Sequence, residues 1–510
     1  MKRWPLAVSL CAGCAFTLPP PSSRDLDASA DGAVSLDVGG RDVVPLDAGS
    51  DLGPMDAGTD TGATDAAADD AIADAGVADV SAIDVDREEA SAPDVSPSDS
   101  GPSDVGEVDA GPTDVSEVDA GTLDVGEVDA GPADAGPADS GPTPITVVDV
   151  DAGDDFTCAV LSNGGLYCWG HNNERQLGVG DATDRSRPTL VTSSEAFVRV
   201  SAGGQHGCAI TASGALWCWG RNNRGQVGDG TLMTRATPVR VFTSGVTSVS
   251  AGGEHTCAVM DAHVYCWGKG DSGQVGDGLV TDQTSPTLVS AFTALDVSAG
   301  EAHSCARVTG VTGCTGSPAS LLCWGKNDRS QVGAGTLATY NSPTPIAPAG
   351  TYCHSVRSVS ANRNNTCAAW NDTLYCWGEN GDGQLGIGNT TESLPTAVSF
   401  GAGASVSQPT PSVGGMFAFA MVTEAGIVRA WSWGKNMEGQ LAIGATGADQ
   451  PSPGRATGLA SLNVVQLSAG ANHACARDAT GSLYCWGAGG SGRLGTGSAT
   501  NSAVPTRVSF

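Results

Sequence analysis

The dipeptide Trp-Gly occurs seven times, at Trp169, Trp219, Trp267, Trp324, Trp377, Trp433 and Trp486, at intervals of 48 to 57 residues. A unit of about 50 residues cannot bury a hydrophobic face by itself, so consecutive copies must pack side by side around a continuous core. Residues 145–510 are therefore expected to form one ring or solenoid.

Aligned on Trp-Gly, the copies share one order of parts. A segment such as Val200-Ser-Ala-Gly-Gly-Gln-His206-Gly-Cys208-Ala-Ile leads through a turn, Ala212-Ser213-Gly214, into Ala215-Leu-Trp-Cys218-Trp-Gly220. A Gly-Gln-Leu/Val-Gly-x-Gly loop follows, as at Gln176-Leu177-Gly178 and Gln274-Val275-Gly276, and each copy closes on Pro and an apolar pair, as in Pro238-Val239. Short alternating apolar runs punctuated by Gly, Asn, Asp and Pro read as strands joined by tight turns, and no helical period is long enough to compete. Four short strands in each of seven copies predict an all-β fold, a seven-bladed β-propeller.

The cysteines give the register independently. Cys158 and Cys168, Cys208 and Cys218, and Cys475 and Cys485 are ten apart, while Cys257 and Cys266, and Cys367 and Cys376, are nine apart. Each pair brackets a hairpin turn, which sets its members across an antiparallel pair at a Cα separation of roughly 4.5–5.5 Å, a distance a disulfide spans. Cys305 and Cys323 keep the arrangement around a longer insertion. In the sixth copy Ala420 and Ser432 are read at the two positions, so both members are missing together, as a bond predicts. Cys314 and Cys353 are left over as a candidate seventh bridge. Reduced core thiols are the alternative, and zinc is disfavoured because close C-x2-C knuckles are lacking.

Disulfides imply an oxidising compartment, and the N-terminus agrees. Lys2 and Arg3 precede a short apolar run from Trp4 to Leu10 and the small-residue site Cys11-Ala12-Gly13-Cys14. Residues 1–14 resemble a bacterial lipoprotein signal, with Cys14 lipidated after cleavage and the chain held to a membrane through that anchor. Pro5 and Cys11 depart from the pattern, and an ordinary secretory signal is the competing reading. Either way the chain is expected to be exported, as an outer-membrane or cell-surface lipoprotein or as a secreted protein.

Residues 15–144 are built from Asp, Ala, Gly, Val, Pro and Ser, with essentially no aromatic residue after Phe16. Over 1–144 there are 31 acidic and 5 basic residues, against 25 and 20 over 145–510, so −26 of the chain's −31 precedes the repeats. Such a segment cannot bury enough apolar surface to fold, and it is expected to be a disordered acidic linker. Its aspartates at 104, 109, 114, 119, 124, 129, 134 and 139 come one per five residues, which does not converge oxygens as a calcium loop does. A flexible coil of this length reaches about 60 Å, enough to carry a domain clear of a membrane surface.

Trp-Gly followed by Gly-Gln-Leu-Gly, with Ser-Ala-Gly-x-x-His-x-Cys-Ala upstream, resembles the regulator of chromosome condensation repeat family. The resemblance covers all seven copies and implies the seven-bladed ring. WD-repeat propellers are excluded by the absence of Trp-Asp at blade ends, and sialidase-type propellers by the absence of their Ser-x-Asp-x-Gly-x-x-Trp box. A shared scaffold does not by itself give a function.

Catalytic signals are weak. Gly270-Asp271-Ser272-Gly273 copies a protease nucleophile string but falls on the ordinary loop after Trp-Gly. His206, His255, His303 and His473 recur once per blade, with Phe156, Asn365 and Ala418 read at the other three positions. Ligands spread around a ring do not converge on one ion, so these histidines are expected to bond backbone within their own blades. Gly487-Ala-Gly-Gly-Ser-Gly492 lacks the strand, helix and Lys of a phosphate loop. No catalytic residue, metal or cofactor is assigned.

The leading expectation is a non-catalytic binding module whose loops contact a protein or glycan. Family members in bacteria include secreted propellers that inhibit beta-lactamase, so the resemblance supplies a precedent. Guanine-nucleotide exchange on a small GTPase, the activity of the family's eukaryotic founder, is the alternative, and a secreted hydrolase comes third. A ring with net −5 argues against nucleic acid as a partner, since nucleic-acid binders concentrate Lys and Arg on one face. The longer irregular loops, Val308 to Ser320, Tyr340 to His354 and Gly401 to Gly414, are candidate contact regions, with Arg221, Arg224, Arg329 and Trp370 as candidate contact residues. Ring closure is open at this point: the first strand near Ile145 to Val150 and the last near Val504 to Phe510 share a blade or lie in neighbouring ones.

Overall fold

The computed structural model describes residues 144–510 except 291, 310–319, 349–354 and 402–405. The signal with Cys14, the linker up to 143, and Cys314 and Cys353 lie outside the described residues. The repeats form seven four-stranded antiparallel sheets, each built from four consecutive strands. In the first sheet these are Val147–Ala152, Phe156–Leu161, Leu166–Gly170 and Arg185–Leu190, running from the centre outward. Blades 1 to 7 span 147–190, 197–242, 246–290, 293–346, 356–397, 406–455 and 464–508. The seven-bladed propeller read from the repeat is the fold.

Burial follows position in the blade. Second strands such as Phe156–Leu161, His206–Thr211 and Asn365–Trp370 are buried along their whole length, because a neighbouring blade covers each of their faces. The seven Trp of Trp-Gly are completely buried. Outer strands meet water on one edge, and each carries a proline: Pro188, Pro238, Pro286, Pro343, Pro395, Pro453 and Pro505. Every one falls in the irregular step between two pairings with the third strand, where no N–H is demanded of it. A residue with no N–H on each free edge also blunts strand-to-strand association between molecules.

The glycine after each tryptophan is required by the backbone. At Gly220 φ is 96°, and a Cβ would stand 2.7 Å from the Gln205 carbonyl. The hairpin cysteines stand opposite one another in register, Cys158 with Cys168, Cys208 with Cys218, Cys257 with Cys266, Cys305 with Cys323, Cys367 with Cys376 and Cys475 with Cys485. Each pair has a Cα separation of 4.1 Å and sulfurs at bonding distance.

The sixth blade corrects the reading of its hairpin by one residue. Phe419, not Ala420, stands opposite Ser432 where the other blades place cysteines, and Phe417, not Ala418, occupies the histidine position opposite Gly434. Phe417-Ala-Phe419-Ala alternates large and small in either frame, so without a cysteine the sequence offers no marker of register. The structure chooses the frame that buries both rings, with Phe419 5.7 Å from Trp486 edge to face.

Closure is settled by the termini. The first strand is innermost in blade 1 and Ser502–Val508 is outermost in blade 7, so the ends lie in adjacent blades and no strand is borrowed. Side chains and backbone both hold the seam, with Val147 N–H bonding Gly481 O at 3.0 Å. Trp169 Nε1 donates to Arg493 O at 2.9 Å, and Ala152 N donates to Ser468 Oγ at 2.9 Å.

Candidate functional site

The residues that recur once per blade serve the contacts between blades. Apart from Trp169, which meets Arg493 O, each Trp Nε1 donates to the carbonyl of the Gln in the preceding blade's Gln-Leu loop: Trp219 to Gln176 at 2.7 Å, Trp267 to Gln226 at 3.0 Å, and Trp324 to Gln274 at 2.9 Å. Trp377, Trp433 and Trp486 do the same to Gln331, Gln384 and Gln440. Gly228 lies against the Trp267 ring, where a Cβ would come within 2.5 Å of Nε1.

The histidines reach across as well, which corrects their expected role. His206 Nε2 bonds Thr256 Oγ1 at 2.8 Å, His255 bonds Ser304, His303 bonds Thr366, and His473 bonds Thr157, each hydroxyl lying in the next blade around the ring. Those hydroxyls in turn donate to the loop carbonyls of Gln226, Gln274, Gln331 and Arg493. A hydroxyl has one proton, so each imidazole must donate from Nε2. Nδ1 is buried without a partner in all four. Loss of solvent pushes the imidazoles down to about 4 for His206 and His303 and about 3 for His255 and His473. They are neutral, completely buried and out of reach of a dissolved substrate.

The same position shows matched pairs. Opposite the tryptophan, Thr157, Thr256, Ser304 and Thr366 supply the hydroxyls that the histidines meet. Where the preceding blade carries Phe156 or Phe417, the facing residue is Gly207 or Ala474. Asn365 precedes Ala418, and its amide oxygen and nitrogen are both buried without partners.

At the centre the innermost strands line a polar channel of about 240 Å³. Serine hydroxyls there accept backbone N–H groups of the next blade, Ser201 from Ala251 at 3.0 Å, Ser250 from Ala299 at 2.9 Å and Ser298 from Ala361 at 2.9 Å. Blade 1 has Asp151 in place of serine. Its carboxylate accepts Ala202 N from blade 2 at 2.8 Å and Ser468 Oγ from blade 7 at 2.7 Å. Asp149 likewise accepts Val200 N at 2.9 Å and Gln466 Nε2 at 2.7 Å. Desolvation raises both carboxyls, Asp151 to about 6, against the hydrogen bonds that favour the charged form. Asp154 at the channel mouth also rises to about 6 by desolvation, with Arg363 opposing.

The face at that mouth is formed by the loops after Trp-Gly. Of the four candidate contacts, Arg221 and Arg224 lie there on blade 2 and Arg329 on blade 4, each in an ion pair: Arg221 with Glu254 at 3.5 Å, Arg224 with Asp282 at 3.2 Å and Arg329 with Glu392 at 2.6 Å. Trp370 is a correction. It ends a fully buried strand and packs on Tyr375 and Trp377 at 5.6 and 5.8 Å, so it is core and offers no contact surface. Ser272 of the protease-like string bonds only its neighbours, its Oγ donating to Asp271 at 3.2 Å and its N–H to Gln274 Oε1 at 2.8 Å. Two of the three candidate loops contain a strand of the ring, Tyr340–Ile346 at the rim of blade 4 and Val406–Val413 at the centre of blade 6. Sequence reasoning missed Asp149, Asp151 and Asp154; the signal for the last two was the replacement of Val-Ser-Ala-Gly-Gly by Val-Asp-Ala-Gly-Asp in the first copy.

A repeated four-stranded unit, a tryptophan clasp onto the preceding blade and a closed ring define a β-propeller of one repeat class. Profiles described as "Regulator of chromosome condensation (RCC1) repeat" match residues 163–210, 213–259, 261–307, 371–421, 429–477 and 480–510, and the chain belongs to that family. A second profile of the same description matches 147–176, 197–226, 246–274 and 464–493. The chain is 31% identical over 192 residues to the ultraviolet-B receptor UVR8 of Arabidopsis thaliana, covering 37% of this chain and 42% of that protein. It is 34% identical over 146 residues to the mitochondrial RCC1 domain-containing protein RUG3 of the same plant, covering 26% and 31%. It thus spans less than half the length of these relatives. Among solved structures it resembles human WBSCR16, with TM-score 0.58 and 20% identity over 68% of this chain and 94% of that one. Prp20p of Saccharomyces cerevisiae, described with its binding to Gsp1p and histones, gives TM-score 0.57 and 20% identity over 70% and 86%.

Proposed function

We propose that this chain is a non-catalytic binding module, exported and displayed by its acidic N-terminal segment, that contacts a protein or glycan through loops of the ring. One observation carries the reading: the buried tryptophans, histidines and serines that recur from blade to blade are engaged in holding a neighbouring blade. What varies between copies is left to the loops, which is where a rigid scaffold places recognition. Six cross-strand cysteine pairs suit an oxidising compartment, and Cys14 would supply the membrane anchor. Labelling of the full chain with a palmitate analogue, lost in Cys14→Ser, tests the anchor. Digestion of whole cells with external protease tests display, and a ring protected until lysis contradicts it.

A second reading draws on the fold shared with Prp20p, whose described partner is Gsp1p. Regulation of a small GTPase by this chain would appear as accelerated nucleotide release from a purified GTPase. No acceleration, together with surface exposure, supports the binding-module reading.

A further inference from the structure

Seven copies of one loop make a comparison within a single molecule. After Gly-x-Gly, blades 1, 5, 6 and 7 carry Ala182-Thr183, Thr390-Thr391, Thr446-Gly447 and Ala499-Thr500. Blades 2, 3 and 4 carry Leu232-Met233, Leu279-Val280 and Leu337 in this stretch, the blade 3 pair one residue nearer the glycine, with these five side chains 54 to 65% exposed. Four copies show that the loop folds without an apolar tip, so the tips on three adjacent blades have no structural cause in the loop. Exposed apolar groups gathered on one arc mark an interaction surface.

The arc is rigid. Asn222 Nδ2 donates to the carbonyls of Thr231 and Met233 at 3.0 and 3.1 Å, and Asn327 holds Thr336 O in the same way. Gly230 N donates to Thr284 O of blade 3 at 2.9 Å, and Gly278 N to Asn341 O of blade 4 at 2.9 Å. Arg224 to Asp282 ties blade 2 to blade 3, and Arg329 to Glu392 ties blade 4 to blade 5. A surface ordered in advance loses little entropy on docking.

Inward of the tips on the same face lies a recess of about 430 Å³ lined by residues of blades 1 to 5. Its lysines and Arg221 are engaged with neighbouring carboxylates, Lys269 with Glu254 at 3.0 Å and Lys326 with Asp328 at 3.0 Å. Asp154 and Glu301 line the recess and stand in no ion pair among the described residues, with the Arg363 guanidinium partly offsetting the charge of Asp154. We infer that the arc of blades 2 to 4 docks a protein segment whose apolar side chains meet the five tips and whose lysine or arginine enters the recess toward Asp154 and Glu301. The inference rests on the binding-module reading and locates its contact surface.

The test is selection of peptides from a random display library on the full chain. Peptides that combine apolar residues with Lys or Arg are expected, with affinity about tenfold lower for a variant carrying L232S, M233S, L279S, V280S and L337S. The same peptides should bind a control variant carrying A182S, T390S and A499S as well as they bind the parent, and Glu301→Gln should weaken those with a basic residue. Unchanged tryptophan fluorescence shows that a variant is folded. Peptides insensitive to the arc variant, or enriched in acidic residues, overturn the inference while leaving the binding reading intact. Co-sedimentation of the parent with phosphatidylglycerol vesicles, lost in the arc variant, assigns the tips to a lipid surface and also overturns it. Failure to select any peptide counts against both.

Discussion

At the scale of single residues, the ring shows how neighbours are matched. His206 meets the Thr256 hydroxyl, whereas Phe156 and Phe417 meet Gly207 and Ala474. Thr256→Ala alone strands the His206 N–H in a dry interface and should cost about 1–3 kcal/mol in denaturant unfolding. Paired with His206→Phe it recreates the phenylalanine match, and a double-mutant cycle should return a coupling of about 1–2 kcal/mol. Additive losses would show that the pairs are independent. The histidines also fix an acid limit. Because burial holds them neutral, with His206 down to about 4 and His255 to about 3, their contribution is complete above the unfolded value of 6.5. It is lost as pH falls from there toward those values, and the four ring imidazoles should show no NMR titration between pH 8 and 5.

At the scale of the hairpin, the cystines and the register are one question. Closing a loop of about 11 residues stabilises a blade by roughly 3 kcal/mol in the chain-entropy account, less any strain. Non-reducing peptide mapping should recover the six pairs, and blade 6 should exchange its amide protons first. The pairing of Phe419 with Ser432 gives a sharper test. F419C with S432C should oxidise to a seventh bond, and A420C with S432C should not; the reverse result would restore the frame read from the sequence. Five hairpins were legible because cysteines and glycines mark both ends of their strands. The fourth kept its register through an insertion because Cys305 and Cys323 survive it. The sixth lost its markers and slipped by one. Trp370 failed for a related reason: at a strand end beside a turn, composition does not say which way an aromatic side chain faces, and the structure turns it onto Tyr375. The interblade bonds of the histidines were illegible because repeat periodicity reports equivalence between blades and carries no distance between them.

At the scale of the whole molecule, blade 1 is the exception that joins the two ends. Asp149 and Asp151 accept hydrogen bonds from both blade 7 and blade 2, where other blades use one serine to reach one neighbour. The carboxyls are raised, Asp151 to about 6, so the folded ring holds protons that the unfolded chain releases near 3.8. Their penalty is absent below that value, grows as pH rises toward 6 and is complete above it, opposite in sign to the histidines. Asp151→Ser, the residue of the other blades, should therefore stabilise the full chain by about 1–2 kcal/mol at pH 8 and give no gain at pH 4. A loss at pH 8 would show that the clasp to two blades outweighs its desolvation.

Because no strand is shared between the first and last blades, the place where the backbone happens to start is arbitrary. Val147 N–H bonds Gly481 O at 3.0 Å, and Val508 pairs with Leu483 two residues further on, so both ends lie at one spot on the hairpin rim. A circularly permuted chain, joined there by a short glycine-serine link and cut between Ser193 and Glu195, should give the same oligomeric state and the same six cystines. The order of the blades in the gene would then be a record of duplication, with no further say in how the protein assembles.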